Sequence, residues 1–130
     1  MDYKPVDIGA LTDLSGNRFH DDDGNTYIVS TLIQIAKEQE LVPFDLPLQA
    51  IDLSVDRFEK GDMTIHQVAK HIVRMNKTDL KYPIILDSSG CIMDGWHRIL
   101  KALIQGKTTI KAIRFVDDPL PSYTKNEKAE

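Results

Sequence analysis

The sequence has little of what marks a secreted or membrane protein. It contains one cysteine, Cys91, so no disulfide can form within the chain. No apolar run approaches the roughly 18 residues that a transmembrane helix requires. The first ten residues, MDYKPVDIGA, contain no apolar core of the kind found in signal peptides. We therefore expect a cytoplasmic protein that does not enter a membrane.

The sequence also lacks an excess of basic residues. Its 16 lysines and arginines are outnumbered by 20 aspartates and glutamates, which gives a formal net charge of −4. Proteins that bind DNA mainly through its phosphates usually present a basic face. The charge therefore does not support DNA binding, although a local basic pocket is compatible with it. A hydrophobic share of 42% and a charged share of 28% are typical of one globular domain.

Motifs for metal ions and for a P-loop are missing as well. The segment HDDDGN, residues 20–25, has the alternating aspartates of a calcium loop, but Leu32 stands where the closing glutamate would be. We predict a solvated turn there. We predict no metal site, because four histidines show no zinc-ligand spacing with the single cysteine: His20, His66, His71 and His97.

The patterns that are present predict a mixed α/β (α+β) domain, with a small mixed sheet and helices packed against it. Three parts are expected: an N-terminal extension with a helix over residues 1–40, the domain over 41–118 and a flexible tail over 119–130. The predicted elements are a helix within 26–40, strands over 46–55, 82–87, 91–94 and 109–116, and helices over 64–76 and 96–105.

The helix over 64–76 has the clearest start signal in the chain. Thr64 and Gln67 have the spacing of a capping box, and Met63 and Val68 that of a hydrophobic staple. The apolar residues are expected to form one stripe along the helix, namely Ile65, Val68, Ala69, Ile72, Val73 and Met75. Taken alone, His71 is expected at the surface, where histidine is more often found than in a core.

The segment DGWHR, residues 94–98, places two cationic residue types in the first turn of a helix. A helix N-terminus carries partial positive charge and unsatisfied N–H groups, so His97 and Arg98 indicate an anion there. Gly95 permits a turn that other residues resist, and Trp96 either stacks on a base or packs. A structural alternative stays open, in which Asp94 caps the helix and pairs with Arg98.

The stretch PIILDSSGCIMDGWHRILKALIQGKTTIKAIRF resembles the ParB/sulfiredoxin-like superfamily, over residues 41–118. The likeness is carried by a strand, a hairpin, a Gly-X-His-Arg turn that opens a helix, and a last strand. It implies that His97, Arg98 and the adjacent Gly95 and Trp96 hold the phosphates of ATP, ADP or CTP. It also implies that polar residues of the first helix face the nucleotide, and the corresponding positions are Thr64, Gln67 and His71.

The sequence departs from sulfiredoxins, which place a catalytic cysteine directly before the His-Arg pair. Trp96 holds that position here, and Cys91, five residues earlier, is expected to be a buried small side chain. The motif is more similar to the branch of free serine kinases and to stand-alone ParB-like proteins of phages and plasmids, including nuclease-like ones. Sulfinic acid reduction is therefore not expected.

Two function classes follow from the resemblance. An enzyme for phosphoryl transfer or nucleotide hydrolysis needs a base and usually Mg²⁺. The candidates for acid–base roles are Asp52, Asp56, Glu59, Asp94 and His97. The alternative is a non-catalytic module that a nucleotide switches, or a nuclease-like accessory protein. A small molecule or a protein is the expected second partner.

Overall fold

The computed structural model describes residues 18–21, 23–54 and 64–124. It contains six strands, three α-helices and one 3-10 helix in these ranges. In chain order they are β1 (Arg18–His20), β2 (Thr26–Ile28), α1 (Val29–Glu38), β3 (Phe44–Pro47), the 3-10 helix (Leu48–Ala50), α2 (Ile65–Lys77), β4 (Ile84–Leu86), β5 (Ile92–Asp94), α3 (Trp96–Ile104) and β6 (Thr109–Arg114). The predicted mixed α/β class is confirmed.

A four-stranded sheet in the order β3-β6-β4-β5 forms the centre of the fold. β6 pairs antiparallel with β3 and parallel with β4, while β4 and β5 form the predicted hairpin. The parallel pairing of β4 and β6 requires a crossover between them, and β5 and α3 supply it. The residues after β5, where α3 begins, therefore lie beside the central strand β4.

The sheet carries a core on each of its two faces. Successive residues of β4 point to opposite faces, so Ile84 and Leu86 enter one apolar cluster and Ile85 enters the other. On the first face α3 contributes Ile99 and Ala102. On the second face α1 supplies two residues, and the members of this cluster are Leu32, Ala36, Ile85, Met93, Ile113 and Phe115. The predicted N-terminal helix is thus part of the core of the domain.

The N-terminal hairpin of β1 and β2 closes through the predicted turn. Asp21 accepts hydrogen bonds through Oδ1 from the backbone N–H groups of Asp23 and Asn25, at 3.0 and 2.8 Å. These bonds hold the pKa of the Asp21 carboxyl below its ordinary value, although burial alone acts to raise it. The hairpin runs directly into α1, which begins at Val29, because Tyr27 and Ile28 belong to β2.

The chain after β6 is attached to this hairpin. Thr26 and Tyr123 exchange backbone hydrogen bonds of 2.8 and 3.1 Å, and the Ile28 N–H donates to Ser122 Oγ. Within the predicted flexible tail, Ser122 and Tyr123 are therefore attached to β2 by hydrogen bonds. Residues 125–130 of the predicted tail lie outside the described residues.

The strand predicted over 46–55 begins and ends earlier. β3 covers Phe44–Pro47, and its pairing with β6 ends at Pro47, opposite Thr109. The chain then turns into the 3-10 helix, which directs Leu48 into the core and lets Ile51 pack against it. The apolar residues of this segment thus reach the core by helical spacing, and not by the alternation that was read as a strand.

Helix α2 has the predicted cap but a different buried face. Its apolar residues Ile65, Val68 and Ile72 are exposed by 88%, 39% and 44%, whereas His71 and Met75 are buried. The expected role of the apolar stripe as the core face is wrong for these three residues. The helix packs against α3, where a hydrogen-bond partner for His71 compensates the cost of burying its imidazole. Met63 of the predicted staple lies outside the described residues.

No helix in the described parts of the chain has the length and apolar character needed to cross a membrane.

Candidate functional site

The candidate site begins at the turn between β5 and α3. Gly95 has φ +118°, a left-handed conformation that side chains rarely adopt. A Cβ at this position would overlap the side chain of Ile84, since it would lie 2.7 Å from the Cβ of that residue. The turn therefore requires glycine for two independent reasons, and it brings the start of α3 close to the central strand.

The start of α3 has no side-chain cap. Gly95 itself is the N-cap residue, and it makes no side-chain cap hydrogen bond. The structural alternative in which Asp94 caps the helix is therefore wrong. The first turn carries the indole of Trp96, which is partly buried and packs against the core cluster around Ile84. The packing role of this side chain is thus established.

Asp94 and Arg98 form the ion pair that the same alternative predicted. Arg98 Nη2 donates to Asp94 Oδ2 at 2.7 Å, and the two side chains are exposed by 17% and 18%. The pair spans one helical turn in an i, i+4 arrangement. Within the described residues the buried Nε of Arg98 has no hydrogen-bond partner. Asp94 thus holds one side of the guanidinium group of Arg98, which lines the groove beside the turn.

His97 lies against His71 of the neighbouring helix. His71 Nδ1 and His97 Nε2 are 2.9 Å apart and share a hydrogen bond, and the two rings stack with centroids 5.1 Å apart. His71 is only 8% exposed, so the expectation of a surface histidine is wrong. The family resemblance predicted that His71 faces a nucleotide; its side chain lies beside the His-Arg turn but is not among the residues that line the groove.

Arg74 completes the cluster, and sequence reasoning missed it. It lies one helical turn after His71 on α2, is partly buried, and lines the same groove as Arg98. Burial lowers the pKa of Arg74 below its ordinary value, while the charge of Asp94 acts to raise it. The i, i+3 spacing of His71 and Arg74 was the signal that could have revealed it, since both lie on one face of the helix.

The electrostatics of the cluster keep His97 uncharged near neutral pH. Burial is the largest cause that lowers the pKa of His97, and together with the nearby charges of Arg74, His71 and Arg98 it brings this pKa to about 3. A neutral imidazole both donates and accepts one hydrogen bond. Because its conjugate acid is so strong, His97 is a weak base here, and the geometry favours a hydrogen-bonding role over the predicted catalytic one.

The cluster opens into a surface groove of about 1530 Å³. The groove is lined by every residue of the DGWHR segment and by Arg74, Lys77 and Asp52. The predicted binding residues Thr64 and Gln67 are not among its lining residues. Their side chains bond to each other's backbone N–H groups at the start of α2, at 3.1 and 3.0 Å. Of the three residues predicted on this helix, only His71 contacts the DGWHR segment, through its hydrogen bond to His97, and it too is absent from the lining of the groove.

The predicted acid–base residues differ in their position and in their hydrogen-bond partners. Asp94 is held by Arg98, as described above, whereas Asp52 is exposed in the groove and accepts hydrogen bonds from the N–H and Oγ of Ser54. Asp56 and Glu59 lie outside the described residues. In the ranges that the structure describes, no three histidine, cysteine, aspartate or glutamate residues are arranged to hold a metal ion.

Cys91 does not occupy the buried position that was expected. It is exposed in the hairpin turn between β4 and β5, where its Sγ lies 3.6 Å from Ser89 Oγ. The backbone N–H of Cys91 donates to Asp87 Oδ1 at 2.8 Å. The thiol therefore lines the groove beside the turn and does not contribute to the core.

Comparison of the chain with protein-family models, with curated proteins and with solved structures finds no match. The resemblance to the ParB/sulfiredoxin-like superfamily therefore rests on the residues of the sequence, and what it implies about function is carried forward only as a proposal.

Proposed function

We propose that this protein binds the phosphate groups of a nucleotide, ATP, ADP or CTP, at the start of α3. One observation carries the proposal: two arginines from two helices, Arg74 and Arg98, meet a neutral imidazole at a helix N-terminus that has no side-chain cap. Helix N-termini attract anions through their exposed N–H groups and the helix dipole. Guanidinium groups add the hydrogen-bond geometry that suits phosphate oxygens.

The charge balance of the cluster supports an anionic ligand. Arg74 and Arg98 are positively charged, Asp94 is negatively charged and pairs with Arg98, and His97 is neutral. The whole chain has a net charge of −4. Two arginines at a helix N-terminus can attract a small anion, whereas the acidic charge of the chain disfavours a long polyanion such as DNA.

The size of the groove supports a second ligand beside the nucleotide. Small-molecule sites usually measure roughly 300–1000 Å³, whereas this groove has about 1530 Å³. We therefore extend the proposal to phosphoryl transfer to a small molecule, in the manner of a kinase, or to nucleotide hydrolysis. Asp52 is one of the exposed carboxylates in the groove and, of the predicted acid–base residues, is our candidate for the base. Mg²⁺ would enter bound to the nucleotide phosphates.

A second candidate function is a non-catalytic module that a nucleotide switches. It is favoured by the ion pair of Asp94 with Arg98, which makes this carboxylate a poor base, and by the exposed apolar residues of α2. Ile65, Val68 and Ile72 would then contact a protein partner. A nuclease-like role has less support, because the net charge of −4 does not favour DNA binding. Each of these roles fits the cytoplasmic location expected from the sequence.

Thermal shift measurements with ATP, ADP, CTP and GTP, each with and without Mg²⁺, test the proposal. At least one nucleotide should raise the Tm of the wild-type protein, because ligands that bind only the folded state stabilise it. Arg98→Ala should remove this shift. Lys111→Ala is the matched control, since it removes one positive charge from an exposed pair with Asp45 away from the groove. Absence of any shift in the wild-type protein would reject the proposal.

Turnover separates the two candidate functions. If the protein is an enzyme, the bound nucleotide should be converted to its product, and Asp52→Asn should abolish conversion while binding is kept. If the nucleotide binds and is never converted, alone or with serine and related small hydroxyl compounds, the binding module is the better description.

A further inference from the structure

The outer edge of strand β5 lies in the groove. β5 is the last strand of the four-stranded sheet, and in the described parts of the chain it pairs only with β4. Five consecutive residues, 91–95, line the groove, so the groove follows this strand along its length. Backbone N–H and C=O groups on the unpaired edge of a strand can pair with another extended chain. The groove therefore offers a place for one more strand.

The groove has a wall on each face of the sheet beside β5. Phe19 and Tyr27 belong to one wall and pack on the core cluster that includes residues of α1. Ile51 and Trp96 belong to the other wall and pack on the core cluster that includes residues of α3. A strand sends successive side chains to opposite faces of its sheet. The side chains of an added strand would therefore meet the two walls alternately, with the edge of β5 recessed between them.

The groove is acidic at the end beside the turn between β4 and β5. Four aspartates line it there, Asp21, Asp23, Asp87 and Asp118. Burial raises the pKa of Tyr27 above its ordinary value, and the charges of these four carboxylates raise it further, because they lie around this side chain. No ion pair among the described residues neutralises any of the four. This end of the groove therefore favours a cationic group.

Two arginines of the same region already have partners. Arg114 donates to the carbonyl oxygen of Ser88, with Nε at 2.9 Å, and Arg18 lies over the ring of Tyr123. The four carboxylates outnumber these two guanidinium groups among the residues that line this end of the groove. A lysine or an arginine of a ligand is the side chain that complements such an end.

We propose that the groove binds an extended segment of a protein partner, which adds to β5 as a further strand and places a lysine or arginine at the acidic end. Main-chain hydrogen bonds to the strand edge supply affinity that depends little on sequence, and the charged side chain sets the direction of the segment. The segment is about four or five residues long, which matches residues 91–95 of the groove. The inference goes beyond the proposed function, because it requires no nucleotide.

The same features disfavour two other occupants of the strand edge. Nucleic acid carries phosphates, which the four aspartates repel. A second copy of this chain brings a net charge of −4, and its own sheet edge has to enter between the two walls. A single extended peptide with positive charge meets neither obstacle.

A short capped peptide of alternating valine and threonine, with a lysine at each end, tests the inference on the full chain without nucleotide. It is compared with a form that carries glutamate in place of lysine, and with two forms that are N-methylated at alternate residues, one for each register. NMR of the amides of residues 91–95 gives the location of binding. The rate at which iodoacetamide alkylates Cys91, the only cysteine of the chain, reports access to the acidic end, because its N–H is bonded to Asp87.

The lysine peptide should shift these amides and slow the alkylation of Cys91. The glutamate form should bind about tenfold more weakly at low salt. One N-methylated form should bind about fivefold more weakly, because it cannot donate to the strand edge. Asp23→Asn should weaken binding of the lysine peptide by about threefold at low salt. Asp45→Asn, on β3 at the opposite edge of the sheet, is the matched control and should leave it unchanged.

Four results would overturn the inference. The strand edge is not used if both N-methylated forms bind as tightly as the parent peptide, and the charge argument is wrong if the glutamate form does so. A second copy is the occupant if the amides of residues 91–95 shift with protein concentration alone and sedimentation shows a dimer. The inference also fails if no peptide shifts these amides. The Tm shifts with nucleotides are measured separately, so either proposal can fail while the other stands.

Discussion

The N-termini of α2 and α3 both begin with backbone N–H groups that have no partner within the helix, and they differ in how these groups are capped. At α2, Thr64 and Gln67 satisfy each other's backbone N–H groups through a complete capping box. At α3, Gly95 offers no side chain, and Arg98 and the neutral His97 lie in the first turn. The start of α2 is therefore capped by its own residues, whereas the residues at the start of α3 line the groove. The difference agrees with the proposal that the start of α3 holds a ligand, whereas the start of α2 is stabilised by its own cap.

The largest effect should come from removing the glycine that shapes the open terminus. Gly95→Ala is expected to lower the free energy of unfolding by about 3 kcal/mol, because a Cβ would overlap Ile84 and the left-handed φ would be strained. Urea denaturation measures the loss. Gly106→Ala is the matched control: φ is +72° there and no atom lies within 4 Å of an added Cβ, so about 1 kcal/mol is expected. Equal losses would remove the argument for close packing at Gly95.

The next effect concerns the charge state of His97. Its pKa of about 3 in the folded protein lies below the ordinary 6.5, so the unfolded state binds more protons between these values. Stability should therefore fall as the pH drops from 6.5 to 4.5, by about 1.5 kcal/mol after allowance for the partial exposure of the ring.

Denaturation of His97→Gln over the same pH range isolates this contribution. The variant should lose stability less steeply with falling pH than the wild-type protein, while His66→Gln should follow the wild type. If the free energy of unfolding falls equally with pH in all three proteins, the pKa of His97 in the folded protein lies closer to its ordinary value than its burial and neighbouring charges imply.

Breaking the closed terminus should separate stability from binding. Thr64→Ala removes the capping side chain of α2 and should cost about 1 kcal/mol. Because Thr64 does not line the groove, nucleotide affinity should not change. Urea denaturation and titration calorimetry on the same protein give both quantities. A clear loss of nucleotide affinity would restore Thr64 to the binding role that the family resemblance implied.

The sequence was sufficient for the part of the fold where each local signal agrees with the packing. The hairpin of β4 and β5, helix α3 with Gly106 at its end, and strand β6 follow from apolar runs divided by glycines. The capping box of α2 was predicted residue by residue, because a cap depends on neighbours three positions apart.

The parts that the sequence could not supply depend on contacts between distant elements. The apolar stripe of α2 indicated one buried face, but the hydrogen bond of His71 to His97, 26 positions away, accompanies a different one. Arg74 was missed for the same reason, because its place in the candidate site depends on its neighbours on α3 and β5, which are distant in the sequence. The bridge of Tyr123 to Thr26 likewise joins chain segments that no local pattern relates.

The smallest effect tests whether Asp94 is a catalytic base or a structural partner. Asp94→Asn keeps an acceptor for Arg98 but removes the charge, which should cost only about 0.5 kcal/mol for an i, i+4 pair. It also adds one unit of positive charge at the phosphate position. Nucleotide affinity should therefore rise by ~3-fold or more at low salt.

Asp45→Asn removes the same charge from an exposed pair with Lys111 and should change neither stability nor affinity appreciably. Affinity measured by calorimetry at two salt concentrations distinguishes the outcomes, because a purely electrostatic gain shrinks as salt rises. If Asp94→Asn instead weakens nucleotide binding in the presence of Mg²⁺, this carboxylate takes part in holding the nucleotide and its cation. Nucleotide binding at the start of α3 would then depend on Asp94 as well as on the arginines. The two helix starts would then differ in the ligand groups that they provide as well as in their caps.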